Sequence, residues 1–134
     1  MKTQLVKLSK TAGWIAFTLG VIHTSATFVI AKQVAMLDPQ FRGTFLFMYV
    51  AAGLGCLLAG GGMLLSSGKE LRNFREADYI YLISAIFMLL LGIGAPVAMS
   101  NNPFGYISLV VGFFAVAVSL LKYKKQEKST VIGQ

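Results

Sequence analysis

The stretch YIYLISAIFMLLLGIGAPVAM, residues 79–99, runs for 21 positions without Asp, Glu, Lys or Arg. At 1.5 Å per residue a helix of that length measures roughly 31 Å, the thickness of the hydrocarbon core of a bilayer. Three more runs share this character, Thr11 to Ala31, Thr44 to Leu65 and Phe104 to Leu121, and none contains a charged residue. The pattern predicts an all-α polytopic membrane protein. Its 134 residues, 56% of them hydrophobic, form one domain, an up-down bundle of four transmembrane helices followed by a short tail over residues 122–134.

Basic residues set the expected orientation. Lys2, Lys7 and Lys10 precede the first run, Lys69, Arg72 and Arg75 lie between the second and third, and Lys122, Lys124, Lys125 and Lys128 follow the fourth. The two opposite loops hold only Lys32 and Arg42. Short loops rich in Lys and Arg stay cytoplasmic, so both termini are expected inside the cell. The net charge of +7 therefore comes from helix ends and not from a soluble basic face. Anionic lipid headgroups at the cytoplasmic face, and not nucleic acid, are the expected partner. The first run exceeds the roughly 7–15 apolar residues of a signal peptide and no clean A-x-A-like site follows it, which favours a retained span.

Helix signals fall where the topology needs them. Asp38-Pro39 and Asn102-Pro103 each place an Asx acceptor before a proline, a combination that starts helices. Ser66-Ser67-Gly68 supplies a stop after the second run, and Asn73 with Glu76 reads as a capping box that starts the third helix near Phe74. Trp14, Tyr79, Tyr81 and Tyr123 are expected at the cytoplasmic interface and Tyr106 at the outer one. The repeated Asx-Pro turn suggests two hairpins of one plan, without showing a duplication.

Small residues recur at helix-contact spacing: Ala51, Gly55 and Ala59, or Ala52, Cys56 and Gly60, in the second run, and Gly105, Ser108, Gly112, Ala115 and Ser119 in the fourth. Lipid supplies no hydrophobic drive between helices, so close backbone approach at such residues is the expected glue. Gly60-Gly61-Gly62 admits two readings, an unwound ligand-binding segment or a relaxed helix end with close packing. Gly92, Gly94 and Pro96 predict a bend in the third helix, because proline removes one backbone bond and frees the Gly92 carbonyl.

The first run carries the most informative polar cluster. Ala16, Gly20, His23, Thr24, Thr27 and Ala31 fall on one helical face, which is expected to point inward. An ionisable residue inside a membrane is costly and marks a functional candidate, although a histidine bonded to a threonine or a freed carbonyl would serve equally as structural glue. His23, Thr24, Thr27 and Tyr49 are expected to line a pocket in the outer half of the bundle, beneath the bend made by Gly92, Gly94 and Pro96. A neutral imidazole there both donates and accepts, which suits a quinone, a sterol-like hydroxyl or a lipid carbonyl.

Absent groups narrow the chemistry further. No carboxylate lies in any run, which weighs against ion-coupled antiport, and one cysteine cannot support dithiol exchange. His23 plus Cys56 is short of a zinc set, a bis-histidine haem would need a second chain, and no catalytic triad converges. No cofactor is named by the sequence. The expected role is binding of an apolar or amphiphilic small molecule, or service as a subunit beside a larger membrane protein. The alternatives are a small transporter or channel, as a homo-oligomer if a dimer forms, and, third, a membrane enzyme acting through His23.

The segment Leu19-Gly20-Val21-Ile22-His23-Thr24, on the first of four short spans, resembles the corresponding stretch of small bacterial four-helix membrane proteins of the DoxX-like kind. That resemblance implies a four-helix bundle in the bacterial inner membrane. It implies no activity and no site residue.

The orientation is checked by reporter fusions that are active only outside the cytoplasm. They are expected to be silent after Gly68 and after Gln134 and active within the 32–38 and 100–103 loops. Activity at Gln134 would overturn the four-span topology.

Overall fold

The computed structural model describes residues 2–68, 74–98 and 103–132. Its four helices are α1 (Lys2–Gln33), α2 (Pro39–Ser66), α3 (Arg75–Ala98) and α4 (Pro103–Ile132). Each contains a segment long and apolar enough to cross a membrane. The helices outrun the apolar stretches because the flanking Lys, Gln, Glu and Leu residues are good helix formers. Thus α1 begins nine residues before Thr11, and α4 continues past Leu121 through Ile132, so most of the expected tail is helical.

The α1–α2 turn is built as its sequence implies. A short 3₁₀ turn, Val34–Met36, leads into extended Leu37, and Asp38 then accepts a hydrogen bond from the Gln40 amide at 3.0 Å with Pro39 opening α2. Arg42 Nη1 donates to the Ala35 carbonyl across this turn at 3.4 Å. At the other end of α2, Ser67 N donates to Met63 O and Gly68 N to Leu65 O. No described glycine has positive φ, so this stop does not use a left-handed glycine cap. The expected caps at Asn73 and Asn102 lie outside the described residues, while α3 does begin within one residue of Phe74.

The four helices form a closed ring in which each packs against its sequence neighbour and α4 returns to α1. The α1–α2 and α3–α4 contacts are the most extensive, so the bundle consists of two tight hairpins that meet along lighter seams. Glycine decides how close the backbones come. A Cβ at Gly20 would stand 2.6 Å from the Leu57 amide nitrogen, and one at Gly60 would collide with the backbone of Phe17. Gly13 faces Leu64 and Gly53 faces Thr24, so the α1–α2 pairing keeps one antiparallel register along its length. In the second hairpin Gly92 meets the Leu109 backbone, a Cβ at Gly112 would lie 2.5 Å from Leu89 Cα, and Gly105 faces Pro96.

The Gly60-Gly61-Gly62 segment is continuous helix and serves both seams of α2. Gly60 faces α1, Gly62 faces Ser84 of α3, and Gly61 looks onto open space. Along α4 the expected stripe Gly105, Ser108, Gly112, Ala115 and Ser119 is buried throughout. In α2 Ala51 is exposed and Ala52 half-buried, while Gly55, Cys56, Ala59 and Gly60 of the two expected stripes are buried together with Gly53 and Met63. Outward, Leu58 and Phe28 are 76% and 79% exposed, as expected of side chains whose solvent is lipid. Pro96 sits inside α3 with only two helical residues beyond it, so any bend there can redirect no more than the end of the helix.

Aromatic placement separates Tyr81 from the other expected interface residues. Trp14, Tyr79, Tyr106 and Tyr123 are exposed on the outside of the bundle, but Tyr81 is fully buried. Two residues on from Tyr79 is about 200° around a helix, which turns Tyr81 to the opposite face.

Gly112→Leu is expected to overpack the α3–α4 seam at a cost of about 1–3 kcal/mol, whereas Leu at outward-facing Val110 is nearly neutral. Detergent melting temperatures of the two variants check this, and equal values would count against packing through Gly112.

Candidate functional site

The end of the bundle that carries the α1–α2 turn is here called the distal end. A cavity of about 720 Å³ lies there. Its wall draws Leu19 and His23 from α1, Phe45, Tyr49 and Cys56 from α2, Phe87, Leu91 and Gly94 from α3, and Phe104 and Ser108 from α4. At Gly55 the seam between α2 and α3 closes: a Cβ there would sit 3.1 Å from both Leu91 Cδ1 and Phe87 Cε1. Phe47, nearer the distal end, and Leu90, level with that seam, line the cavity while 74% and 60% exposed, so its mouth opens sideways between α2 and α3.

His23 is the polar centre of this wall. Its ring lies flat on that of Tyr49, with centroids 3.9 Å apart and planes 18° from parallel. Phe104 meets it edge-on at 5.5 Å and 72°, and Phe45 extends the α2 side of the stack at 6.3 Å from Tyr49. Three helices therefore fix one imidazole. His23 is 8% exposed, and its Nε2 is enclosed without a hydrogen-bond partner. Cys56 and Ser108 face each other deeper in the same cavity.

Of the seven expected site residues, His23, Tyr49 and Gly94 line the cavity. Thr24 packs against Gly53 in the α1–α2 seam. The Thr24 and Thr27 hydroxyls are both enclosed without partners, and neither residue is part of the cavity wall. Gly92 is taken up by contact with Leu109, and Pro96 by contact with Gly105. These four stand behind the lining. Phe45, Phe87, Phe104 and Ser108 belong to it and were missed. The Phe45–Tyr49 spacing of four and the Gly105–Ser108 spacing of three were the available signals, since residues so spaced share a helix face.

The interior below the cavity is filled. Met63, Met88 and Tyr81 are completely buried across the bundle axis, with Ala59, Ala85 and Ala115 between them. Further toward the end that holds the chain termini lies a second polar group. Lys122 Nζ stands 4.3 Å from the Tyr81 ring centroid and 3.9 Å from Asp78 Oδ1, and Tyr81 lies beside fully buried Ser9. A cation over a phenol face with a carboxylate at its flank is a stable arrangement for a snorkelling lysine. It ties α4, α3 and α1 together at this end.

Chemically, the distal wall offers apolar surface, aromatic faces and a few neutral polar groups. Among the described residues no three His, Cys, Asp or Glu side chains converge to hold a metal ion. Among the described residues no carboxylate lines the cavity beside His23. No family model, curated protein or solved structure matches the chain.

Proposed function

We propose that this chain is an integral membrane protein of the bacterial inner membrane, with both termini cytoplasmic, that binds an apolar or amphiphilic small molecule in the distal cavity. The observation that carries the reading is the shape of that cavity: wide enough for a ligand, open sideways to the surroundings of the helices, and closed below. Ligand pockets of roughly 300–1,000 Å³ with apolar walls and few polar groups are typical of small-molecule sites. A sideways mouth between two lipid-facing helices suits a ligand dissolved in the bilayer. Kinship with DoxX-like proteins belongs to the same reading, resting on Leu19–Thr24 and the four-span plan. Anionic headgroups are the natural neighbours of the ten basic residues on the cytoplasmic side.

Transport through the bundle axis is less well supported. A path from the cavity would have to pass Met63, Met88 and Tyr81, which are completely buried and fill the interior. A role beside a larger membrane partner is compatible with ligand binding, because the outward faces of all four helices remain free for contact.

Gly94 provides the test. It lines the cavity, and a Cβ added there would meet nothing within 4 Å. Gly94→Leu is therefore expected to melt close to the unmodified protein while filling the mouth. Gentle native purification followed by mass spectrometry is expected to find a small molecule on the unmodified chain and little on Gly94→Leu. Equal retention by both would overturn the assignment of this cavity.

His23→Leu separates binding from glue. It is expected to fold and to lose the retained molecule. A folded His23→Leu protein that keeps the same molecule would reject a binding role for the imidazole.

A further inference from the structure

Charge, ring geometry and the position of the mouth narrow the ligand class further, on the condition that the cavity binds a small molecule at all. Among the described residues, no Asp, Glu, Lys or Arg lines it. A phosphate or ammonium headgroup in this space would lose its hydration without gaining a counter-charge, so the ligand that complements the wall is uncharged. Each of the four helices contributes at least one aromatic ring to the wall. Tyr49 and Phe45 cover it from α2, Phe87 from α3 and Phe104 from α4, and the His23–Tyr49 stack stands between them. Such surfaces favour a flat ring in offset or edge-on contact over a flexible chain.

The polar groups point the same way. His23, Tyr49 and Ser108 are neutral donors and acceptors spread over three helices, which suits a ring bearing oxygen atoms on more than one edge. His23 Nε2 has no partner among the described residues, and a ligand carbonyl or hydroxyl oxygen that reaches it would supply one. The space exceeds one ring. The remainder runs toward exposed Phe47 and Leu90, where an apolar tail would leave the protein between α2 and α3 directly into lipid.

We infer that the distal cavity takes an uncharged amphiphile with a flat, oxygen-bearing conjugated ring and an apolar tail, the prenylquinone class, its ring between the His23–Tyr49 stack and Phe87 and its tail leaving between Phe47 and Leu90. The inference concerns binding, and no electron transfer is part of it.

Three probes decide it on the full chain in detergent, with the melting temperature read as a function of probe concentration: decylubiquinone, n-dodecanol and dioleoylphosphatidylglycerol. A ligand that binds only the folded state raises the melting temperature. Decylubiquinone is expected to act at a concentration roughly fivefold or more below that of dodecanol, the size expected from ring contacts. Its effect is expected to vanish in Gly94→Leu, and Tyr49→Leu is expected to weaken it and narrow its advantage over dodecanol. Should Tyr49→Leu fail to fold, the comparison of probes on the unmodified chain decides alone. Equal potency of dodecanol would overturn ring recognition while leaving small-molecule binding in place. A stronger, Gly94-dependent effect of phosphatidylglycerol would overturn the uncharged class. If none of the three shifts the melting temperature, ring recognition fails; retention of a small molecule by the purified chain, lost in Gly94→Leu, then still separates that failure from failure of the binding reading.

Discussion

Backbone-to-backbone contact at glycine is the constraint on which this bundle depends. Helices in lipid cannot be driven together by excluding water, so their attraction comes from dispersion and polar contacts that operate only at short range. Gly13, Gly20, Gly53 and Gly60 give α1 and α2 that range along a single register, and Gly92, Gly105 and Gly112 do the same for α3 and α4. Once each hairpin is zipped, little freedom remains within it. What differs from end to end is how the two hairpins meet.

That difference produces the cavity. Gly55 and Gly62 let α2 approach Phe87, Leu91 and Ser84 of α3, and below them Met63, Met88 and Tyr81 fill the space between the pairs. Nearer the α1–α2 turn no glycine of α2 faces α3, and bulky Phe45, Phe47 and Met48 line the cavity together with Leu90 and Gly94. Large side chains there hold the hairpins apart without filling the gap, since Gly94 presents no side chain of its own. The Lys122, Asp78 and Tyr81 group at the opposite end holds α3 and α4 together against α1. A clasped base and a parted rim are two results of one distribution of small and large residues.

Much of this could be read from the chain alone, and the limits have a physical cause. Four charge-free runs determine four helices, Asp38-Pro39 builds the turn it implies, and the α4 stripe from Gly105 to Ser119 is buried in full. Each of these depends on the periodicity or capping of one helix. Which residue meets which depends on the rotation of two helices about their axes, and nothing local specifies that. Thr24 and Thr27 share a face with His23, yet the rotation of α1 turns Thr24 to Gly53 in the α2 seam and leaves both threonines out of the cavity wall. Tyr81 has the amphipathic chemistry of an interface residue, but its helical phase carries it into the interior.

The polar face of α1 is thus divided between two environments. Thr24 and Thr27 are enclosed among packed side chains, where an unpartnered hydroxyl has no route to a bond unless a backbone carbonyl one turn back accepts from it. Such a bond is available inside any helix, so both hydroxyls can be satisfied without a ligand. The imidazole of His23 is too long and too rigid to reach back to its own helix in that way. Its position at the cavity wall leaves a neighbouring carbonyl or an occupant of the cavity as the remaining choices. The backbone of Tyr49 is one such group, and it belongs to the residue whose ring already stacks on the imidazole. Binding and structural support therefore compete for one side chain: an occupant that draws His23 away from Tyr49 would loosen the α1–α2 seam at its distal end, and it can bind only if its own contacts with the aromatic wall exceed that loss.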